Sequence, residues 1–377
     1  MRFQPVSLRP AEEELRAEVR AFLAEELPRG SYRPGLGMNA LHSPEFSKKL
    51  AGRGWVGMAI PPEYGGHGRS PVDRFIVAEE LLAAGAPVAA HWTADRQTAP
   101  TILAFGTEAQ RHRFLPAIAR GECFFSIGMS EPDAGSDLAS VRTVGSPVEG
   151  GFVLNGTKIW TSGAHRNDFF CVLCRTSPPG DDRHQGLSQL IVSLTAEGVA
   201  VRPIPFLDGS HHFNEVVLHD VFVPDTLVLG EVGMGWQQVT SELSYERSGP
   251  DRFLSTYQLL ETYLAERAPP VAADAVGRLA SRYWTIRQMS LSVARALEQG
   301  QAPAVESAMV KDLGTTFEQE VVAVLQDLLD HDPDPGASSL FESLLAQAML
   351  VAPSYTIRGG TTEVLRGVVA RSLRGQR

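Results

Sequence analysis

At 377 residues and 43% hydrophobic composition, the chain is long enough for two or three subdomains that share interfaces around a large core. A net charge of -10 leaves no basic stripe for nucleic acid and no polybasic patch for a membrane surface. The three cysteines, Cys123, Cys171 and Cys174, are too few for a disulfide framework, no run approaches the ~18 apolar residues of a membrane span, and MRFQPVSLRPAEEELR lacks a signal-peptide core; the expected location is cytoplasmic.

From Ala11 to Leu27, Leu15, Val19, Phe22, Leu23 and Leu27 recur at helical spacing with Glu and Arg between them, which predicts an amphipathic helix. A loop around Gly65, Gly66 and Gly68 follows, and the next helix is expected to begin with Ser70 as N-cap and Pro71 at its first position. The GGxG spacing has no preceding strand and is no dinucleotide fingerprint; a turn between helices accounts for it. Residues 1–123 read as one helical unit.

The stretch FFSIGMSEPDAGSDLASVRTVGSPVEGGFVLNGTKIWTSG, Phe124 to Gly163, carries the densest chemistry. Pro132 fixes one backbone angle and Gly135 is expected to supply a left-handed turn, so that N–H groups and the hydroxyls of Ser130 and Ser136 converge. Asn155-Gly156 reads as a hairpin turn, and Trp160 beyond it offers an aromatic face beside Ser162. Neutral donors around an indole suit a ligand with carbonyls and phosphates. Turn chemistry by itself also explains Gly, Pro, Asp and Ser in a plain loop.

Short β-rich runs follow, GFVLNG, FFCVLCRT, LSQLIVSL, VAVRPIPF and EVVLHDVFVP, separated by Gly, Pro, Asp and Ser, and predict a compact antiparallel β domain. Cys171 and Cys174 form a CxxC within one of these strands, where strand packing is the better account than metal or redox chemistry. His211 and His212 are adjacent, so an extended chain points them to opposite faces, and no third ligand lies close in sequence. Substrate contact or plain loop is the expectation there.

From Gly235 the helical period returns, with linker-like breaks at Ala265 to Ala273 and His331 to Ser338. Val271 to Leu297 and Val305 to Leu329 read as two long helices, and Ser339 to Arg374 as a third segment broken near Pro353 and at Gly359-Gly360. An antiparallel helical bundle packages them.

SEPDAGSD followed by NGTKIWTSG resembles the flavin-binding signature of the acyl-CoA dehydrogenase family, and PEYGG and FGTEAQRHRFLPAIARGE resemble its N-terminal helical domain. The resemblance runs over most of the chain and implies the family's three-part α+β fold: helical domain (1–123), middle antiparallel β domain (124–234) and C-terminal antiparallel helical bundle (235–377). It implies FAD as cofactor, with Ser130 and Ser136 on the isoalloxazine and pyrophosphate, Met129 contributing main chain, Gly135 in the turn, and Trp160 and Ser162 against the ring system.

Oxidising an acyl thioester at Cα and Cβ needs a base for a weakly acidic proton, polarisation of the carbonyl, and a hydride acceptor. The family's commoner base position precedes Gly-Thr in the C-terminal motif, which here reads Ile357-Arg358-Gly359-Gly360-Thr361-Thr362-Glu363, so position 359 is Gly and that base is absent. Branched-chain members carry the Glu on the first helix after the β domain, just before an Arg. Glu246-Arg247 in ELSYERSGPDRF falls at the matching place. The resemblance therefore implies Glu246 as base, Arg247 as its electrostatic neighbour, and the Gly359 amide as a thioester contact; Thr361 and Glu363 fall on positions that touch FAD. Most Glu on helices are solvated charges, and only the motif argues otherwise.

Two flavin motifs of homotetrameric relatives, Arg-x-x-Phe-Gly and Gln-x-x-Gly-Gly-x-Gly, are missing: the corresponding regions read LAERAPPVAADAVGRLASRYW and VVAVLQDLLDHDPDPGASS. Identical subunits cannot repair a shared omission, whereas a different subunit can. This pattern resembles the catalytic subunits of heterotetrameric members that act on steroid side chains, which implies a bulky or steroid-derived acyl-CoA, a second dehydrogenase-like subunit, and an electron-transfer flavoprotein as acceptor. Two other readings stay open: a non-catalytic subunit that completes a partner's site, and an oxidase or flavin monooxygenase on the same fold.

Overall fold

The computed structural model describes residues 3–267 and 270–375, apart from the side chains of residues 242–246, 271 and 375. Six helices come first: α1 (Pro10–Glu26), α2 (Pro44–Gly52), α3 (Pro71–Ala83), α4 (Ala89–Thr93), α5 (Ala99–Phe105) and α6 (Glu108–Ala119). Strands β1 (Phe125–Gly128), β2 (Val144–Val148), β3 (Gly151–Lys158), β4 (Phe169–Arg175), β5 (Leu187–Ser193), β6 (Val199–Ile204), β7 (Phe213–Pro224) and β8 (Val228–Leu229) follow. The rest is again helical: α7 (Gly235–Glu246), α8 (Tyr257–Glu266), α9 (Ala273–Glu298), α10 (Ala304–Asp327), α11 (Leu340–Val351) and α12 (Thr362–Gly375).

The chain divides into two compact units. One takes residues 1–41, 70–87 and 244–377, the other 42–69 and 88–243. In the helical unit, α1 packs on α3, α3 on α9, and α10 on α9 and α12. α3 starts as its sequence dictates: the Ser70 side chain accepts from Asp73 N with Pro71 at the first position. A buried bidentate pair, Arg287 Nε and Nη2 to Glu79 at 2.6 and 2.8 Å, ties α9 to α3, and Arg295 reaches Glu12 of α1 at 2.8 Å. Amphipathic faces bring these helices together, and the bidentate pairs then fix their register.

The other unit is built on one sheet of order β6-β7-β3-β2-β4-β5-β8, antiparallel except where β1 pairs with β4 and where Val144 of β2 meets Arg175 of β4. Phe152, Leu154, Phe170, Val172, Leu190, Val192, Val216 and Leu218 pack on one face of the sheet, while β4 and β5 are buried on both faces, with Cys171, Leu173, Leu187 and Ile191 packing on the other. Cys171 and Cys174 are buried within β4 and form no disulfide among the described residues.

Asn155-Gly156 is not a hairpin turn. β3 runs straight through it, and the chain reverses at Glu149-Gly150, between the paired Val148 and Gly151, with Gly150 at φ 78°. The Asn-Gly pair instead marks a bulge against β7, where Leu154 pairs with Val221 but Gly156 with Leu218. The Asn155 Nδ2 donates to Asp220 Oδ1 at 2.9 Å, and Asp220 N donates back to Asn155 Oδ1 at 3.0 Å. Gly156 is required by close approach: a Cβ there would lie 2.5 Å from Thr143 Oγ1.

Candidate active site

The exits of β1 and β3 lie side by side. β1 leads into Met129-Ser130, β3 into Ile159-Trp160, and Ile159 N donates to Ser130 O at 2.9 Å. The next turn closes on itself, Glu131 N to Ala134 O at 2.8 Å and Ala134 N to Glu131 O at 3.1 Å. Because that pair already reverses the chain, Gly135 does not take the left-handed conformation expected of it. A Cβ at Gly135 would meet nothing within 4 Å, so the glycine keeps the surface beside Ser136 open.

Trp160 is held in the left-handed region at φ 60°, a conformation that costs an indole-bearing residue about 1–3 kcal/mol. Its neighbours over-determine it. Thr161 N and Asn214 O, and Asn214 N and Thr161 O, pair at 3.0 and 3.1 Å, Gly163 N donates to His212 O at 2.8 Å, and Ser126 Oγ donates to Ser162 O at 2.7 Å. The buried Asn214 adds its Nδ2 to Thr161 O at 2.9 Å. The indole packs edge-on against Phe213, 5.7 Å between centroids, and stays 52% exposed.

The hydroxyls of Ser130, Ser136 and Ser162 have no hydrogen-bond partner among the described residues. The acids of the turn are already engaged: Asp137 by the Ser140 hydroxyl and then by Arg183, which hold its carboxyl below the ordinary range, and Asp133 by Arg142 at 3.5 Å. Neutral donors beside an exposed indole, with the local carboxylates facing arginines, fit the carbonyls, ring and phosphates of a flavin nucleotide.

In the helical unit, Gly359 and Gly360 are both left-handed, φ 67° and 94°. A Cβ at Gly359 would stand 3.0–3.1 Å from the Arg252 guanidinium, and one at Gly360 3.4 Å from Arg247 Nη2. The loop before them is pinned from α10: Lys311 Nζ donates to Thr356 O at 3.1 Å, and Gln319 Nε2 to Ala352 O at 3.0 Å. Arg358 Nη2 reaches Glu318 Oε2 at 3.0 Å and Ser255 Oγ at 2.7 Å, while Ser255 N donates to Glu318 Oε1 at 2.8 Å. Burial pushes the Lys311 ammonium down to about 7, helped by the like charges of Arg252 and Arg358.

Glu246 is the last residue of α7, and its side chain lies outside the described residues. Arg247 lies against Gly360 as described. Thr361 accepts from Val364 N at 3.3 Å through its hydroxyl, capping α12. Glu363 is exposed, and hydrogen bonds from its own amide and from Thr361 hold its carboxyl low, which makes it a weak base. Arg252, Lys311 and Glu318 carry no motif of their own; the only sequence signal was the unassigned PDR that follows Glu246-Arg247.

Three family models match in succession: acyl-CoA dehydrogenase N-terminal domain over residues 9–122, middle domain over 126–221 and C-terminal domain over 260–374. The chain is 33% identical to acyl-CoA dehydrogenase FadE34 of Mycobacterium tuberculosis over 96% of its own length, and spans about half (48%) of that longer protein. Among solved structures it is similar to the Tcur3481-Tcur3483 steroid ACAD, with a TM-score of 0.86 and 30% identity over 98% of each chain. It is also similar to a chain of the ChsE4-ChsE5 complex from Mycobacterium tuberculosis, with a TM-score of 0.82 and 30% identity over 99% of each. Helical ends, a central mostly antiparallel sheet, three consecutive domain matches and full-length likeness at this identity agree, and the chain belongs to the acyl-CoA dehydrogenase family of FAD-dependent oxidoreductases.

Proposed function

We propose that this chain is the catalytic subunit of an acyl-CoA dehydrogenase that removes a proton from Cα and a hydride from Cβ of a bulky, steroid-type acyl-CoA. The observation that carries the reading is the set of hydroxyls of Ser130, Ser136 and Ser162, unpartnered among the described residues, near the exposed, strained Trp160. In this reading Met129, Ser130, Gly135, Ser136, Trp160 and Ser162 hold FAD, and Thr361 and Glu363 touch it from the C-terminal motif. The proposed division of labour follows residues 1–123, 124–234 and 235–377.

FAD supplies the hydride acceptor when bound. The other steps belong to the chain. Glu246 takes the α-proton, with Arg247, the next residue, as its electrostatic neighbour. The Gly359 N–H donates to the thioester oxygen, where negative charge develops as the proton leaves. With Gly at 359 and Arg252 filling the side-chain volume there, a carboxylate at that position is sterically displaced, which favours Glu246 as the base.

The two missing adenine-end motifs support assembly with a different dehydrogenase-like subunit, as the ChsE4-ChsE5 complex combines two proteins. An electron-transfer flavoprotein is the proposed acceptor. The test is the visible spectrum and mass of the chain purified alone and co-expressed with a neighbouring dehydrogenase-like chain. A colourless chain that turns yellow in a mixed tetramer supports the half-site; a yellow homo-oligomer removes the heteromer and leaves the dehydrogenase. Oxygen consumption during turnover without an added acceptor would instead favour an oxidase.

A further inference from the structure

Lys158 is fully buried and Glu131 is 7% exposed, and they form an ion pair with Nζ 2.8 Å from Oε1. The carboxylate is saturated: Oε1 also accepts from Thr143 N at 2.8 Å, and Oε2 accepts from Arg142 N at 2.6 Å. Burial alone would raise the Glu131 carboxyl, but the Lys158 charge and these hydrogen bonds outweigh it and hold it below the ordinary range. A pair this deep is an expensive way to stabilise a sheet, since well-packed apolar residues of similar volume commonly serve as well or better. Its position suggests another use.

The same ammonium donates to the carbonyl oxygen of Met129 at 3.0 Å. That carbonyl and the Ser130 N–H are the two ends of one peptide group. A cation on the oxygen polarises the group and strengthens the N–H as a donor. The next residue along β3's exit, Ile159, donates to Ser130 O at 2.9 Å, and Trp160 follows in its strained left-handed conformation. One buried charge thus acts on both halves of the floor, orienting the 129–130 peptide and anchoring the strand end from which the indole projects.

We propose that the Lys158–Glu131 pair is a positioning element that aims and polarises the Met129–Ser130 peptide toward the flavin, and thereby raises the reduction potential of the bound cofactor. Reduction adds negative charge to the isoalloxazine, and a stronger N–H donor favours the reduced form over the oxidised one. The inference rests on the reading of residues 129–136 and 160–162 as the flavin floor.

The test uses Lys158→Met and the double variant Lys158→Met/Glu131→Leu, each in whichever assembly holds FAD in the wild type. The single variant leaves a buried carboxylate unpaired, so it is expected to lose stability and flavin together. The double variant removes both charges but also takes the acceptor from the Thr143 and Arg142 amides, so it is expected to fold with wild-type circular dichroism at a lowered melting temperature. It is nevertheless expected to bind FAD roughly tenfold more weakly, the scale of one lost charge-assisted hydrogen bond, and to hold it at a more negative potential. A folded double variant with wild-type FAD affinity and potential overturns the proposal. Ser136→Ala and Trp160→Ala separate the two failures: if they weaken FAD binding while the double variant does not, only the positioning role is lost, and if they too leave it unchanged, the floor itself is wrong.

Discussion

The sheet unit and the helical unit each present one polar surface, and the two are made differently. The floor at the ends of β1 and β3 is neutral: three hydroxyls and an indole, with its one buried ion pair held beneath the surface. The Gly359-Gly360 loop lies among ionic groups that are largely paired, with Arg252, bonded to Asp251 at 2.9 Å, and Arg247 against the two glycines, Lys311 on Thr356 O, and Arg358 on Glu318. Neutral donors suit a flat ring with carbonyls that must bind in two redox states. Positive charge behind a backbone amide suits an oxygen that becomes anionic only during proton removal. In the proposed reading, recognition falls to the first surface and charge stabilisation to the second.

The largest expected effect breaks the second half of that contrast. Glu246→Gln should keep bound FAD and slow flavin reduction by acyl-CoA by roughly 10³-fold, within the range of general-base contributions. Stopped-flow bleaching of the flavin band checks it, and reduction at the wild-type rate would reject the base. On the neutral surface, Trp160→Ala and Ser136→Ala should each lower FAD affinity by about tenfold, the scale of one hydrogen bond or ring contact. Undiminished flavin content after gel filtration would dismiss the floor.

A smaller effect probes why position 359 carries no side chain. Gly359→Ala should cost about 1–2 kcal/mol of stability from its left-handed backbone alone, and more if Arg252 cannot yield. Urea unfolding measures this, and any loss beyond the backbone cost is the part due to crowding against Arg252, which stays in place because it is paired with the buried Asp251 at 2.9 Å. A loss well under about 1 kcal/mol would reject the left-handed strain at 359.

The mildest prediction concerns pH. The folded Lys311 pKa lies near 7, below that of an unfolded lysine, so the unfolded chain binds the extra proton in between. Stability therefore rises with pH from about 7 toward the ordinary lysine range, and the destabilising cost is fully present below 7. Lys311→Met should flatten that rise, with its greatest relative gain at low pH. Identical pH profiles for the two proteins would mean that Lys311 is solvated.

Reading alone placed the large elements well where the determinants are local. Ser70 and Pro71 start α3 as their cap chemistry requires, and the 26-residue α9 follows its apolar period. Asn155-Gly156 misled because an Asn-Gly pair suits both a two-residue turn and a bulge. Only the partner strand, with His219 and Asp220 opposite a single Asn155, separates the two. Gly135 misled for a similar reason, as the Glu131–Ala134 pair had already turned the chain.

By itself the amino-acid sequence determined the three-part order of helices, strands and helices, the donor-rich SEPDAGSD and the Trp160 segment, and the empty side chain at 359, because each is a property of neighbouring residues. The tertiary structure alone decided that Lys158 of β3 would bond the Met129 carbonyl and that Arg252 would fill the space beside Gly359. Those partners lie 29 and 107 positions apart, and no period or spacing encodes a contact whose register is set only when the sheet and the bundle close.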